Sequence, residues 1–192
     1  MVEELETHHR PRSVLVVLSG LCALSLMLVG CGSRTASPPL DSSASSVASC
    51  PQVQTASFDK TKFVLHAGLG FGAFHHFIYK PFKSGELSSG APGRFRHLAE
   101  AGVATAFTVH ELRLAKQNAE ANPTLCKAVA APLEAAAARL QGLGGSVRTG
   151  QVSGGDLDQV NSTIDQAQRG SNQAGTPVAD QIPSTEQLAH PT

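Results

Sequence analysis

The longest apolar stretch outside the N-terminal region runs from Phe63 to Tyr79 and reads FVLHAGLGFGAFHHFIY. Placed on a 3.6-residue period it is apolar nearly all round, which predicts a central, buried helix or one embedded in lipid. Lys80-Pro81 is expected to end it, because proline cannot continue a helix and restricts the residue before it. Gly68 and Gly72 form a small-xxx-small pair that would let another helix approach closely. Gly68, Gly70 and Gly72 each weaken a helix by roughly 1 kcal/mol, so a strand over Phe63 to Ala67 is the alternative; the helix is the preferred reading.

Lys83 to Gly93 is rich in Gly, Ser and Pro and reads as a loop, with Pro92 placed for a helix start. Phe95, Leu98, Gly102, Ala106, Val109 and Leu112 then suggest an amphipathic helix running to about Ala121. Asn122-Pro123 reads as an N-cap followed by a proline in the first turn. Leu125, Val129, Leu133, Ala136 and Leu140 form the clearest helical stripe of the chain, with Pro132 expected to kink it and Gly142 to Gly145 to end it. A weaker helix is predicted from Asp156 to Gln168, with Leu157, Val160 and Ile164 on one face. The predicted fold is mainly α: a small three- to four-helix bundle over residues 58–169, with residues 170–192 a polar, disordered tail. Short loops would make neighbouring helices antiparallel.

The N-terminal region follows another pattern. Arg10 and Arg12 precede an apolar run from Val14 to Val29, shorter than the ~20 residues a spanning helix needs, and Leu28-Val29-Gly30-Cys31 follows. This is the layout of an export signal over residues 1–30. Leu28-Val29-Gly30-Cys31 resembles the lipobox of bacterial lipoproteins. That resemblance implies diacylation of the Cys31 thiol, cleavage before it, and a mature chain held on the outer face of the cytoplasmic membrane by its lipid. Glu3, Glu4 and Glu6 depart from the usual basic start, and Arg10-Pro11-Arg12 is not a twin-arginine pair, so general secretion is the expected route. Residues 31–57 carry the lipidation cysteine and then a Ser-, Ala- and Pro-rich segment, which reads as a disordered tether. The run from His66 to Lys83 also resembles uncharacterised actinobacterial lipoproteins and secreted proteins, which carry no activity that could be transferred.

Charge adds little direction. After Cys31 there are 13 Lys and Arg against 12 Asp and Glu, so no basic field exists to hold nucleic acid. Residues 58–127 hold nine basic and five acidic groups and every Phe and Tyr of the chain. In particular Phe74, Phe77, Ile78, Tyr79 and Phe82 are interleaved with His75, His76, Lys80 and Lys83, a combination that suits either a lipid interface or an ordinary core with a charged edge. Of the four cysteines, Cys22 leaves with the signal and Cys31 is lipidated. Cys50 and Cys126 are left in an oxidising compartment and form the candidate disulfide.

Candidate chemistry rests on the histidines. His66, His75, His76, His97 and His110 are the candidate ligands of a haem or transition metal. His66 and His75 are nine residues apart and so point to nearly opposite faces. A shared site would therefore need His97 or His110 from the next helix. The competing reading makes these residues structural. Gly68-Leu69-Gly70-Phe71-Gly72-Ala73 matches a loose dinucleotide pattern, but no strand–turn–helix context supports it. No nucleophile elbow or paired carboxylates are visible. The expected function is a non-enzymatic envelope lipoprotein that binds a protein partner or the membrane surface, with a His-based haem or metal protein as the alternative.

Overall fold

The computed structural model describes residues 50–190; the export signal, Cys31 and the tether up to residue 49 lie outside the described residues. The order of elements is α1 (Asp59–Phe74), a π-helical turn (His75–Tyr79), α2 (Lys80–Lys83), α3 (Arg94–Glu120), α4 (Pro123–Thr149), α5 (Gly154–Gln173) and α6 (Thr185–Ala189). No strand occurs among the described residues. The mainly α helical bundle expected from the sequence is what the chain forms. α3 packs between α1 and α4, α5 packs on α4 and touches the π turn, and α6 rests on α3.

The apolar stretch is a central helix. Phe63, Phe71, Phe74 and Ile78 are fully buried, and Phe77, Tyr79 and Phe82 pack against the same core. These rings therefore serve the interior of the bundle. The helix does not stop at Lys80-Pro81. A π turn intervenes, with the Lys80 N–H bonded to the His75 carbonyl, and α2 then carries Pro81 in its first turn. There the missing proline N–H costs little, because the first N–H groups of a helix have no partner within it.

Gly68 and Gly72 admit close contact, but with an extended segment instead of a helix. After α5 the chain returns along α1 as a strap over residues 174–184. The Gln181 N–H donates to the Gly68 carbonyl at 2.9 Å. A Cβ on Gly72 would lie 2.1 Å from the Gln181 carbonyl oxygen. The strap buries Thr176 and Val178, and α6 buries Leu188. α6 opens on a capping box between Ser184 and Gln187. The tail expected to be disordered from residue 170 is thus helix to Gln173 and ordered chain to His190. Val178, Pro183 and Leu188 find buried seats while Ile182 stays exposed, a division that composition averaged over the segment does not reveal.

α3 is less amphipathic than its stripe implied. Phe95 is 84% exposed and Ala106 is also exposed. The helix is covered on two sides and buries Thr105, Thr108 and Glu111 beside Leu98, Phe107 and Leu112. α4 follows its predicted stripe, with Leu125, Val129, Leu133, Ala136 and Leu140 all buried. Asn122 caps it, its side chain accepting from the Thr124 and Leu125 N–H groups at 3.1 Å. The helix runs through Pro132 and past Gly142 to Gly145, ending at Gly150 in the left-handed conformation. A helical glycine costs only about 1 kcal/mol, so three of them do not stop a helix that continues to bury Val147.

Candidate functional site

The five candidate histidines are drawn to different surroundings. His66 on α1 faces Glu111 on α3, Nδ1 to Oε2 2.7 Å. Gly70 allows this approach, since a Cβ there would stand 3.3 Å from the Glu111 Cβ. Glu111 is 1% exposed. Its Oε1, and the Thr108 hydroxyl one turn away, find no hydrogen-bond partner. His97 lies 3.4 Å from Glu86 and 3.7 Å from Glu100. His76 is exposed beside the Phe77 ring. His110 lines a cleft of about 710 Å³ between α3 and α4, together with Val103, Phe107, Gln141, Arg148 and Leu188. The metal alternative required His97 or His110 to join His66, His75 or His76. No group of three His, Cys, Asp or Glu suited to a metal occurs among the described residues.

His75 has the richest surroundings. It opens the π turn, where the widened helix turn re-aims side chains. Its Nδ1 meets Asp180 Oδ2 at 2.5 Å and its Nε2 meets Asn161 Oδ1 at 3.1 Å. Asn161 Nδ2 donates to Asp165 Oδ2 at 3.2 Å, and Gln168 Nε2 donates to Asp180 Oδ1 at 3.0 Å. Two acceptors facing both ring nitrogens are satisfied together only by the doubly protonated imidazolium. Burial pulls the His75 pKa down. The hydrogen bond and charge of Asp180, the bond to Asn161 and the charge of Asp165 outweigh it and raise the pKa above its ordinary 6.5. The result is a charged clasp joining the π turn, α5 and the strap. On the next turn Tyr79 donates to Asp158 at 2.7 Å, and Lys83 reaches the same carboxylate at 3.2 Å. Tyr79 first, then Lys83, hold Asp158 below the usual carboxylate range.

The end of the bundle where the chain enters is built differently. Cys50 is disulfide-bonded to Cys126 on α4, with Cα atoms 5.6 Å apart. The Thr55 N–H donates to the Ala121 carbonyl at 2.9 Å. Gln54 donates to Asp59 at 2.7 Å, and Asp59 Oδ1 also accepts the Lys60 N–H. Residues 50–57, expected as the last part of a disordered tether, are therefore fastened to the bundle. Phe58 precedes α1 at φ 59°, the left-handed region, which a bulky residue rarely adopts. Phe58 is 74% exposed, and Val53, five residues earlier, is 70% exposed. Lys60, Lys62, Lys127 and Arg169 are also exposed here.

The sequence pattern picks out the histidines but not their partners. Asp180 falls in the segment that reads as a tail, and nothing in the sequence sets Glu111 apart from the other carboxylates. Phe58 carries no signal beyond its position at the edge of the tether. No family model matches this chain, and neither a curated protein nor a solved structure matches it.

Proposed function

We propose that the chain is an exported lipoprotein, lipidated at Cys31 and held at the outer face of a bacterial cytoplasmic membrane. There its helical bundle acts as a non-enzymatic interaction module. The observation that carries this reading is the Cys50–Cys126 disulfide. Such bonds persist in oxidising compartments outside the cytoplasm and are rare within it, which agrees with the export signal and its lipobox-like Leu28-Val29-Gly30-Cys31. No helix of the described residues is long and apolar enough to cross a membrane. A stable association would then come from acyl chains, of which two or more are needed.

The test is the intact mass of the chain recovered from bacterial membranes. Cleavage before Cys31 with an added diacylglycerol thioether is the expected result, and Cys31→Ser should abolish both cleavage and lipid. Cleavage elsewhere, with Cys31 unmodified, would sink the reading.

A further inference from the structure

We propose that the end of the bundle carrying Phe58 is a membrane-contact face, which seats Val53 and Phe58 in the interface of an anionic bilayer beneath Lys60, Lys62, Lys127 and Arg169. The inference deepens the lipid-tether reading and rests on it for the nearness of a membrane. Four observations converge on this end.

Phe58 is unfavourable for the fold in two respects. It exposes an aromatic ring, and it places a bulky residue in the left-handed region. Strain kept at an exposed aromatic side chain points to a use outside the fold. The second observation is charge. Lys60, Lys62, Lys127 and Arg169 have no carboxylate within ion-pair distance among the described residues. Asp59, just before Lys60, is 2% exposed and turned into the protein, and Glu120 nearby is engaged by Lys116.

Third, at the opposite end, where Phe95 is exposed, most cations are engaged, although Lys80 is exposed there without an ion pair. Lys83 is paired with Asp158 and Arg96 with Glu100, while Arg94 is spent on the Leu87 and Thr149 carbonyls. Fourth, the chain from Cys31 arrives at the Phe58 end and is fastened there by Cys50. Even fully extended, the residues from Cys31 to Cys50 reach no more than about 65 Å. A lipid on Cys31 therefore keeps this end within reach of the bilayer, where weak contacts gain effective concentration. Unpaired cations beside exposed apolar side chains suit an anionic headgroup layer, with the ammonium groups in the headgroups and the ring at the acyl boundary.

The chain has no tryptophan, so a single introduced indole reports alone. The full chain carrying Phe58→Trp is reconstituted in vesicles of phosphatidylglycerol with bromine-labelled acyl chains, and Phe95→Trp serves as the reporter of the far end. Far-UV circular dichroism confirms that each variant is helical. The emission of the Phe58→Trp variant should shift to the blue and be quenched by the bromines, while the indole of Phe95→Trp stays in water. In phosphatidylcholine, or with Lys60→Gln and Lys62→Gln added, quenching of the Phe58→Trp variant should fall, each lysine weakening surface attraction about fivefold. An indole at position 58 that remains in water, or one at position 95 quenched as strongly, overturns the proposal, and the first result would leave a protein as the partner of this face. The intact mass separates the two readings. An acylated chain whose position-58 indole stays in water defeats the contact face alone. An unacylated chain whose position-58 indole still enters the bilayer keeps the face and defeats the anchor.

Discussion

Gly72→Ala tests what the glycines of α1 are for. Alanine is the better helix former by about 1 kcal/mol, so a glycine that merely tolerates its place should give a more stable protein when replaced. At Gly72 the added methyl would lie 2.1 Å from the Gln181 carbonyl oxygen, 2.5 Å from its carbon and 2.8 Å from its nitrogen. The obstacle is backbone, so no side-chain rotation relieves it and the strap must move away. The interactions then at risk are the Gln181–Gly68 hydrogen bond, worth about 1 kcal/mol, and the charge-assisted His75–Asp180 bond, worth about 2 kcal/mol. The burial of Val178 also suffers. Freed chain entropy, about 1 kcal/mol or more per released residue, offsets much of this sum. The expected net loss is therefore about 1–3 kcal/mol, the usual range for overpacking, or a fall in melting temperature of about 3–9 °C for a domain of this size. Gly142→Ala and Gly145→Ala in α4 are the matched comparison, because a Cβ at either position meets nothing within 4 Å. Each should stabilise by about 1 kcal/mol. Thermal unfolding measures both signs, and hydrogen exchange of residues 174–184 should show the strap losing protection only in Gly72→Ala. If Gly72→Ala is as stable as the parent with the strap still protected, the strap does not hold α1 as described.

Three further outcomes rest on the same contacts. The raised pKa of His75 means that its bond to Asp180 contributes fully below the ordinary 6.5 and is lost as pH rises through the raised value; exchange protection of the strap, corrected for intrinsic rates, should therefore fall with increasing pH above 6.5 and become flat in His75→Gln. Glu111→Ala should cost about 1–3 kcal/mol by leaving the His66 ring without its hydrogen-bond partner, whereas Glu111→Leu with His66→Leu should lose less in chemical denaturation; equal losses would count against the bond. Reducing Cys50–Cys126, which are 76 residues apart in sequence, should lower the stability to denaturant by up to about 4.5 kcal/mol on the chain-entropy account, and an unchanged midpoint would show that the reduced chain is already constrained.

The helices are legible in the sequence where one buried face is uniformly apolar. Leu125, Val129, Leu133, Ala136 and Leu140 declare α4 unaided, and Asn122-Pro123 marks its start. Boundaries differ from the sequence pattern where a residue acts through context. Pro81 does not end the first helical stretch, because a π turn supplies it with a new first turn. The buried face of α3 departs from its stripe because two neighbours cover the helix and Thr105, Thr108 and Glu111 share the burial. Composition hides the strap altogether: a polar segment can be held by one backbone bond, one charged clasp and a few seated side chains. The disulfide is legible by elimination of the other cysteines, while the exposure of Phe58 depends on tertiary packing that no local pattern encodes.

These departures share a physical origin in α1. A helix that is apolar on every side must be covered on every side, and three further long helices do not suffice here. α3 covers one flank, with Gly70 bringing its backbone close to Glu111 and Leu112, and the core reached by Phe71 and Phe74 covers another. The remaining flank holds Gly68 and Gly72, which have too little side chain to bury and leave backbone carbonyls within reach. An extended segment can satisfy such a surface where a helix cannot, because its own N–H groups are free to donate, as Gln181 does to Gly68. The glycines therefore call for a strap, and the strap requires a fixing point at the end of the helix, which His75 supplies. Every histidine drawn into such structural work leaves fewer for a ligand, and Phe58, the one non-glycine residue at positive φ among the described residues, stands exposed at the opposite end of α1 beside cations without ion pairs.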